Sequence, residues 1–261
     1  MRILMTGAAG RVAAMLRPRL SRPGRTMRLL DITPTSPGDR EEAVTADVTD
    51  PAAVREAMEG VDAVLHFGGH SLEKPWADIL HVNIHGTQVV LEAARQAGVT
   101  RVVLASSNHA VGFHPRGEQV PATLPPRPDT YYGVSKAAME ALGSLYHDRF
   151  GMDVVALRIG TCDERPPDVR ALSTWLSPGD CARLVEAALA ATGFHIVWGI
   201  SANTRRWWSL DEGHTIGYVP RDDAERFAPA LIAEHGEPGP AAPAHALLGG
   251  EFCVRELGAS W

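Results

Sequence analysis

The chain has 261 residues and a mildly acidic balance, 31 Asp and Glu against 25 Lys and Arg, for a formal net charge of −6. That length suits one large α/β domain, or one domain with a small appendage, and the lack of a basic stripe argues against nucleic acid as a partner. No apolar run approaches the ~18 residues of a membrane span, and Cys162, Cys181 and Cys253, scattered and without a CxxC pair, suggest a reducing, cytoplasmic setting with no disulfide framework.

The N-terminus enters a short apolar strand at once, so no signal peptide is expected. Residues 2–5 are followed directly by Thr6-Gly7-Ala8-Ala9-Gly10-Arg11-Val12-Ala13, which opens a helix to about Leu20. Strand, glycine turn and helix form the context in which such a motif binds a dinucleotide. Gly7 permits the tight turn and Gly10 the close approach of a pyrophosphate. Ala9, Arg11 and Val12 complete the turn, where the helix amides face the phosphates.

A second strand, Met27 to Asp31, ends in an acid close to the ~20-residue spacing expected of a ribose-binding carboxylate. Asp31, with Ile32 beside it, would accept from the adenosine ribose and repel a 2′-phosphate, which favours NAD over NADP. Ala43 to Asp47 reads as a third strand, leaving Asp47 and Val48 beside the adenine. A helix over Pro51 to Met58 is capped by Asp50. The fourth strand, Ala63 to Phe67, runs into Gly68 and Gly69, where backbone can pass close to the cofactor. After His70-Ser71-Leu72-Glu73-Lys74-Pro75, a long helix is expected from about Trp76 to Ala97, with Asn83 inside it as a further cofactor candidate.

The fifth strand, Arg101 to Ala105, delivers Ser106, Ser107, Asn108 and His109 to its carboxyl end, where ligands bind in open parallel sheets. A proline-rich loop leads to Tyr132-Gly133-Val134-Ser135-Lys136 and a helix to about Phe150. Tyr132 and Lys136, at i and i+4, project from one helix face. A phenol is a poor base at neutral pH, and a nearby ammonium favours the phenolate. Such a pair can take a proton from a substrate hydroxyl while a hydride leaves the same carbon. The sixth strand, Asp153 to Arg158, ends at Ile159-Gly160-Thr161.

Beyond Cys162 the chain reads as a polar loop around Arg170, a helix over Pro178 to Thr192, a strand over Phe194 to Trp198 and a last helix from Asp222 to about Glu234. Trp207 and Trp208 are expected to pack first and to wall a pocket second. Gly236 to Gly250, rich in Gly, Pro and Ala, reads as a surface loop. His66, His70, His81, His85, His109 and His114 come with no HExxH and no cysteine cluster, so no metal site is expected.

The βαβ alternation, the glycine loop, Asp31, Ser107 and the Tyr132/Lys136 pair resemble the extended short-chain dehydrogenase/reductase family, and Glu73-Lys74-Pro75, Ser106 to His109, Arg158 to Gly160 and Leu172 to Trp175 are similar to its uronate dehydrogenase group. The resemblance implies a Rossmann-like, doubly wound parallel sheet with a small C-terminal substrate-binding part. Residues 1–160 would bind NAD and carry the catalytic residues, and 161–261 would be interwoven with the same domain. It implies NAD-dependent oxidation of a hexuronic acid at the anomeric carbon, with Tyr132 as base, Lys136 lowering its pKa and Ser107 placing the hydroxyl. Ser71, Asn108 and His109 would contact the sugar and Arg170 its carboxylate. Phe67, Ile159 and Thr161 are expected at the cofactor. A homo-oligomer is expected too. A planar guanidinium suits a carboxylate, and the ~100 residues after the sixth strand favour a small sugar acid over a nucleotide sugar. The alternatives are a sugar epimerase or dehydratase with retained NAD, and a non-catalytic NAD sensor.

Overall fold

The structure, a computed structural model, describes residues 1–237 and 243–261. Among these, seven strands form one parallel sheet in the order β3-β2-β1-β4-β5-β6-β9. The first half of the chain supplies β1 (Arg2–Thr6), α1 (Arg11–Leu20), β2 (Thr26–Asp31), β3 (Glu41–Thr45), α2 (Pro51–Ala57) and β4 (Ala63–His66). Next come α3 (Trp76–Asp78), a π-helical segment (Ile79–His85), α4 (Gly86–Gln96) and β5 (Arg101–Ser107). A 3₁₀ turn (Asn108–Val111), α5 (Tyr131–Phe150) and β6 (Asp153–Ile159) follow.

Strand alternation divides the core into two layers. Ile3 and Met5 of β1 pack on one side with Leu16 and Leu20 of α1, while Leu4 packs on the other with Val54 of α2, Val90 of α4 and Met139 of α5. Burial on both faces explains why the strands read as apolar runs. The order reverses between β1 and β4, and the carboxyl ends of the strands open there onto a cleft.

The rest of the chain returns to this sheet. β7 (Thr161–Cys162), α6 (Ala171–Thr174) and β8 (Trp175–Leu176) form a small parallel pair with its helical turn. α7 (Pro178–Ala190) adds Leu184 and Val185 to the α1 layer, and β9 (Phe194–Gly199) pairs with β6 from Val154 to Ile159. α8 (Asp211–Thr215), a 3₁₀ turn (Ala224–Phe227), α9 (Ala228–His235), α10 (Pro243–Ala246) and a last 3₁₀ turn (Gly250–Cys253) complete it.

Several boundaries differ from the sequence expectation. The third strand lies over Glu41–Thr45 because its register pairs Met27 with Glu41, and Asp47 accepts from Thr49 in a turn instead. The long helix after Pro75 contains seven π-helical residues. The helix expected from Asp222 is split, because Pro229 sits where a helix starts rather than continues. Of the Gly236–Gly250 loop, residues 238–242 lie outside the described residues; beyond them the chain is not simply a loop, since α10 forms and Leu247 bridges to Pro115. Trp208 is fully buried against Trp198 at 4.3 Å, whereas Trp207 lies under the Arg170 guanidinium.

Candidate active site

A cleft of about 410 Å³ runs along the carboxyl ends of the strands, from Asp31 and Ile32 at one end to Ser71, Ser107 and Tyr132 at the other. Its floor is set by Gly7. That residue has φ +67°, and a Cβ there would lie 2.6 Å from the Phe67 carbonyl, so only glycine lets the first turn pass under the β4 loop. Gly10 is the N-cap of α1 and brings no capping side chain, so the helix amides are left to whatever enters the cleft. The Asp31 carboxylate is oriented by two backbone amides, Ala9 N on Oδ2 and Thr33 N on Oδ1, both at 2.9 Å. Arg11, Val12, Asp47, Val48, Phe67, Gly68 and Gly69 line the wall between. A dinucleotide matches this donor set: amides at the phosphate position, a fixed carboxylate at the end of β2, and glycines where backbone must come close.

Beneath this wall lies a buried polar chain. Thr87 Oγ1 donates to the Asn83 carbonyl at 2.6 Å, so it must accept from His66 Nε2, 3.1 Å away. His66 Nδ1 then accepts from Thr6, whose oxygen takes the Gly68 amide at 3.0 Å. Burial, with Lys136 adding to it, pulls the His66 imidazole down to about 3, which keeps it neutral. Asn83 is buried in the π-helical segment and does not line the cleft. Its Oδ1 accepts from His70 N at 2.7 Å, and its Nδ2 donates to His70 O and Ser135 Oγ, both at 3.0 Å. The side chain therefore holds the loop that borders the cleft.

At the other end, α5 presents Tyr132 and Lys136 from one face. Gly133 makes this possible, because a Cβ there would lie 2.4 Å from the His109 carbonyl. The helix start is buried yet satisfied: Glu73 accepts from Tyr131 N and Tyr132 N, and Thr130 Oγ1 from Gly133 N at 2.9 Å. Lys136 Nζ donates to Ala105 O at 2.8 Å and stands 5.3 Å from the Tyr132 ring centre. Burial pulls the ammonium down to about 8, opposed by Glu140. Burial also pushes the Tyr132 phenol up to about 12, with Asp129 adding to it and a hydrogen bond with Ser107 opposing it. Burial is thus the largest influence on the phenol, ahead of its neighbours Ser107 and Asp129.

Ser107 ends β5 on the cleft. Asn108 and His109 stand just behind the lining; Asn108 Nδ2 donates to Leu248 O at 2.9 Å, and His109 Nδ1 shares a 2.7 Å hydrogen bond with the buried Asp129. Arg170 is half-buried over the Trp207 ring at 4.8 Å. It donates to the Leu247 and Leu248 carbonyls, and burial pulls its guanidinium down to about 10. Thr161 is turned to Thr174 Oγ1 at 3.0 Å, so Ile159, Gly160 and Cys162 provide the lining at that point. Ala9 contributes its amide to Asp31 and does not line the cleft. Ser106, expected at this strand end, lines it too, as does His70, while Val82, Ala105 and Cys162 line it without having been singled out. Only their positions just after strands, or in the helix facing them, could have marked them.

Residues 3–162 match the NAD dependent epimerase/dehydratase family. The chain is 44% identical to the uronate dehydrogenase of Pseudomonas putida, covering 97% of this chain and 96% of that one. It is 40% identical to an NAD-dependent glucose-6-phosphate dehydrogenase of Haloferax volcanii, over 86% of this chain and 95% of the other. Among solved structures, a tyrosine variant of uronate dehydrogenase from Agrobacterium tumefaciens, complexed with NAD, superposes with a TM-score of 0.93 at 40% identity, covering 98% of this chain and 97% of that one. The glycine turn, the acid ending β2 and the Tyr132/Lys136 pair lie within or close to the matched span, and the likeness to these relatives extends through the C-terminal part: the chain belongs to the NAD dependent epimerase/dehydratase family.

Proposed function

We propose that the protein oxidises the anomeric carbon of a hexuronic acid, D-galacturonate or D-glucuronate, with NAD as hydride acceptor, giving the aldarolactone. The observation that carries this reading is the convergence of Ser107, Tyr132 and Lys136 at one end of a cleft whose other end holds Asp31. The names of the P. putida and A. tumefaciens relatives support the sugar acid.

In this reading Tyr132 Oη takes the proton of the anomeric hydroxyl, Ser107 orients that hydroxyl, and the C1 hydrogen leaves as hydride to NAD. Lys136 holds the nicotinamide ribose. Asn108, His109 and Ser71 contact the sugar, and Arg170 holds its carboxylate with guanidinium N–H groups. Positive charge entering the cleft would bring the buried phenol back toward the working range. Residues 1–160 bind NAD, and 161–261 shape the sugar end. Among the described residues, no helix is long and apolar enough to cross a membrane. The absence of a cysteine framework supports a cytoplasmic setting, and we infer a homo-oligomer from the family resemblance.

The test is NADH formation from NAD with D-glucuronate or D-galacturonate, with glucose and glucose 6-phosphate as controls. Turnover on the acids and not on glucose supports both the hydride chemistry and the Arg170 role. Faster turnover on glucose 6-phosphate would replace the carboxylate by a phosphate, a second reading that the H. volcanii relative favours. A nucleotide sugar consumed without net NADH would point to an epimerase or dehydratase.

A further inference from the structure

Glu73 has no part in the chemistry above, yet its side chain is fully buried. Among the described residues no cation pairs with it. Three backbone amides from distant parts of the chain hold it instead. Oε2 accepts from Tyr132 N at 2.8 Å, and Oε1 from Tyr131 N at 3.2 Å and from Gly258 N at 2.9 Å.

Two of the three segments that meet here line the cleft, and the third packs on residues just behind its lining. The loop carrying Glu73 also carries His70 and Ser71, both on the lining. The helix carries Tyr132. The segment ending at Gly258 offers Leu248 O to Asn108 and Arg170 and stacks Phe252 on His109 at 3.9 Å. It is knitted to the rest by Leu248 N on His114 O and Gly249 N on Gly112 O.

We propose that Glu73 is a positioning residue, a latch that fixes residues 247–258 against the catalytic helix and the Ser71 loop, and thereby sets the affinity of the site for its sugar without touching it. The latch is a matter of geometry; its effect on the sugar rests on the dehydrogenase reading above. A carboxylate offers only acceptors to its three amides. Glutamine would present a donor on one arm, leaving at least one amide without a partner.

The test uses the full chain with Glu73→Gln, Phe252→Ala and the double variant. Hydrogen exchange is followed without substrate, and steady-state rates are measured with NAD and the best sugar acid. Glu73→Gln is expected to speed exchange across residues 247–258 while β5 and β6 keep wild-type protection. It should raise KM for the acid ~10-fold and leave KM for NAD within about twofold. Phe252→Ala should give the same sugar-selective rise, and the double variant should be no worse than the weaker single one, since both act through one segment. Unchanged exchange in 247–258, equal rises in both KM values, or multiplying effects in the double variant would overturn the proposal. Should Glu73→Gln fail to fold, Gly258→Ala reads the latch from its other side. Gly258 has φ +77°, and a Cβ there would lie 3.2 Å from the Tyr131 ring, so the segment is displaced with Glu73 intact. A wild-type protein inactive on every sugar acid would defeat the dehydrogenase reading, and the exchange data would still decide the latch.

Discussion

At Tyr132, burial and the Ser107 hydrogen bond pull one phenol in opposite directions, and burial wins. With the phenol pushed up to about 12, its deprotonated form is scarce at neutral pH, so NADH formation at saturating NAD should climb as pH rises from 6. Lys136, pulled down to about 8, begins to lose its proton in the same range, and with it the charge that favours the phenolate. The profile should therefore bend over near pH 8. Lys136→Arg, which keeps its charge, should lack that bend even though its overall rate falls; a wild-type profile flat from pH 6 to 9 would contradict the assignment. Tyr132→Phe should lose at least ~10²-fold in turnover with NAD affinity nearly unchanged by calorimetry. Asp31→Ala should narrow the preference for NAD over NADP by ~10-fold or more in kcat/KM, since the carboxylate that repels a 2′-phosphate is gone. All these positions were legible in the sequence because each rests on a short local signal: a spacing, a strand end, a glycine turn. What the sequence could not supply was the phenol's burial, the largest influence on it.

Among the elements, the long helix after Pro75 is the instructive case. Its apolar pattern reads as one α-helix, and it is π-helical over Ile79–His85, an insertion that leaves no mark in the periodicity. That distortion carries Asn83, which clamps the His70 backbone through both ends of its amide. Asn83→Ala should free this loop, raising KM for NAD several-fold and speeding exchange at residues 68–71, while the far strand β9 stays protected. The inner strands were readable to within two residues because both of their faces are buried, while the half-exposed edge strand β3 was displaced by two residues at each end. The pieces after Cys162 were not, because two-residue strands and single helical turns offer too few residues for a period to show. The partners of Arg170 were equally hidden: the carbonyls of Leu247 and Leu248 reach it across most of the C-terminal part.

For the molecule as a whole, the neutral His66 in its chain of hydroxyls links stability to pH. Its folded value of about 3 lies below the ordinary 6.5, so the unfolded chain takes up a proton that the folded one refuses. This contribution is complete above about pH 6.5 and is lost as pH falls toward 3. Between pH 6.5 and 4.5 it amounts to roughly 2 kcal/mol, or a fall of ~4 °C or more in Tm for a chain of this size. His66→Gln, which cannot take up the proton, should show a shallower fall across the same window in calorimetric scans. A slope equal to wild type would assign the acid sensitivity to the carboxylates instead.

The order of the strands also bears on how the chain is made. β6 is apolar from Val154 to Leu157 and lies between β5 and β9. The α7 helix that covers one of its sides is translated just before β9. A nascent chain that has left the ribosome as far as Ile159 therefore displays β6 as an open edge, with unpaired amides and a bare apolar face, until residues 178–199 emerge. Stop codons placed in that interval should yield insoluble fragments rather than a smaller nucleotide-binding domain, and slow translation there would lengthen the window in which a chaperone is needed.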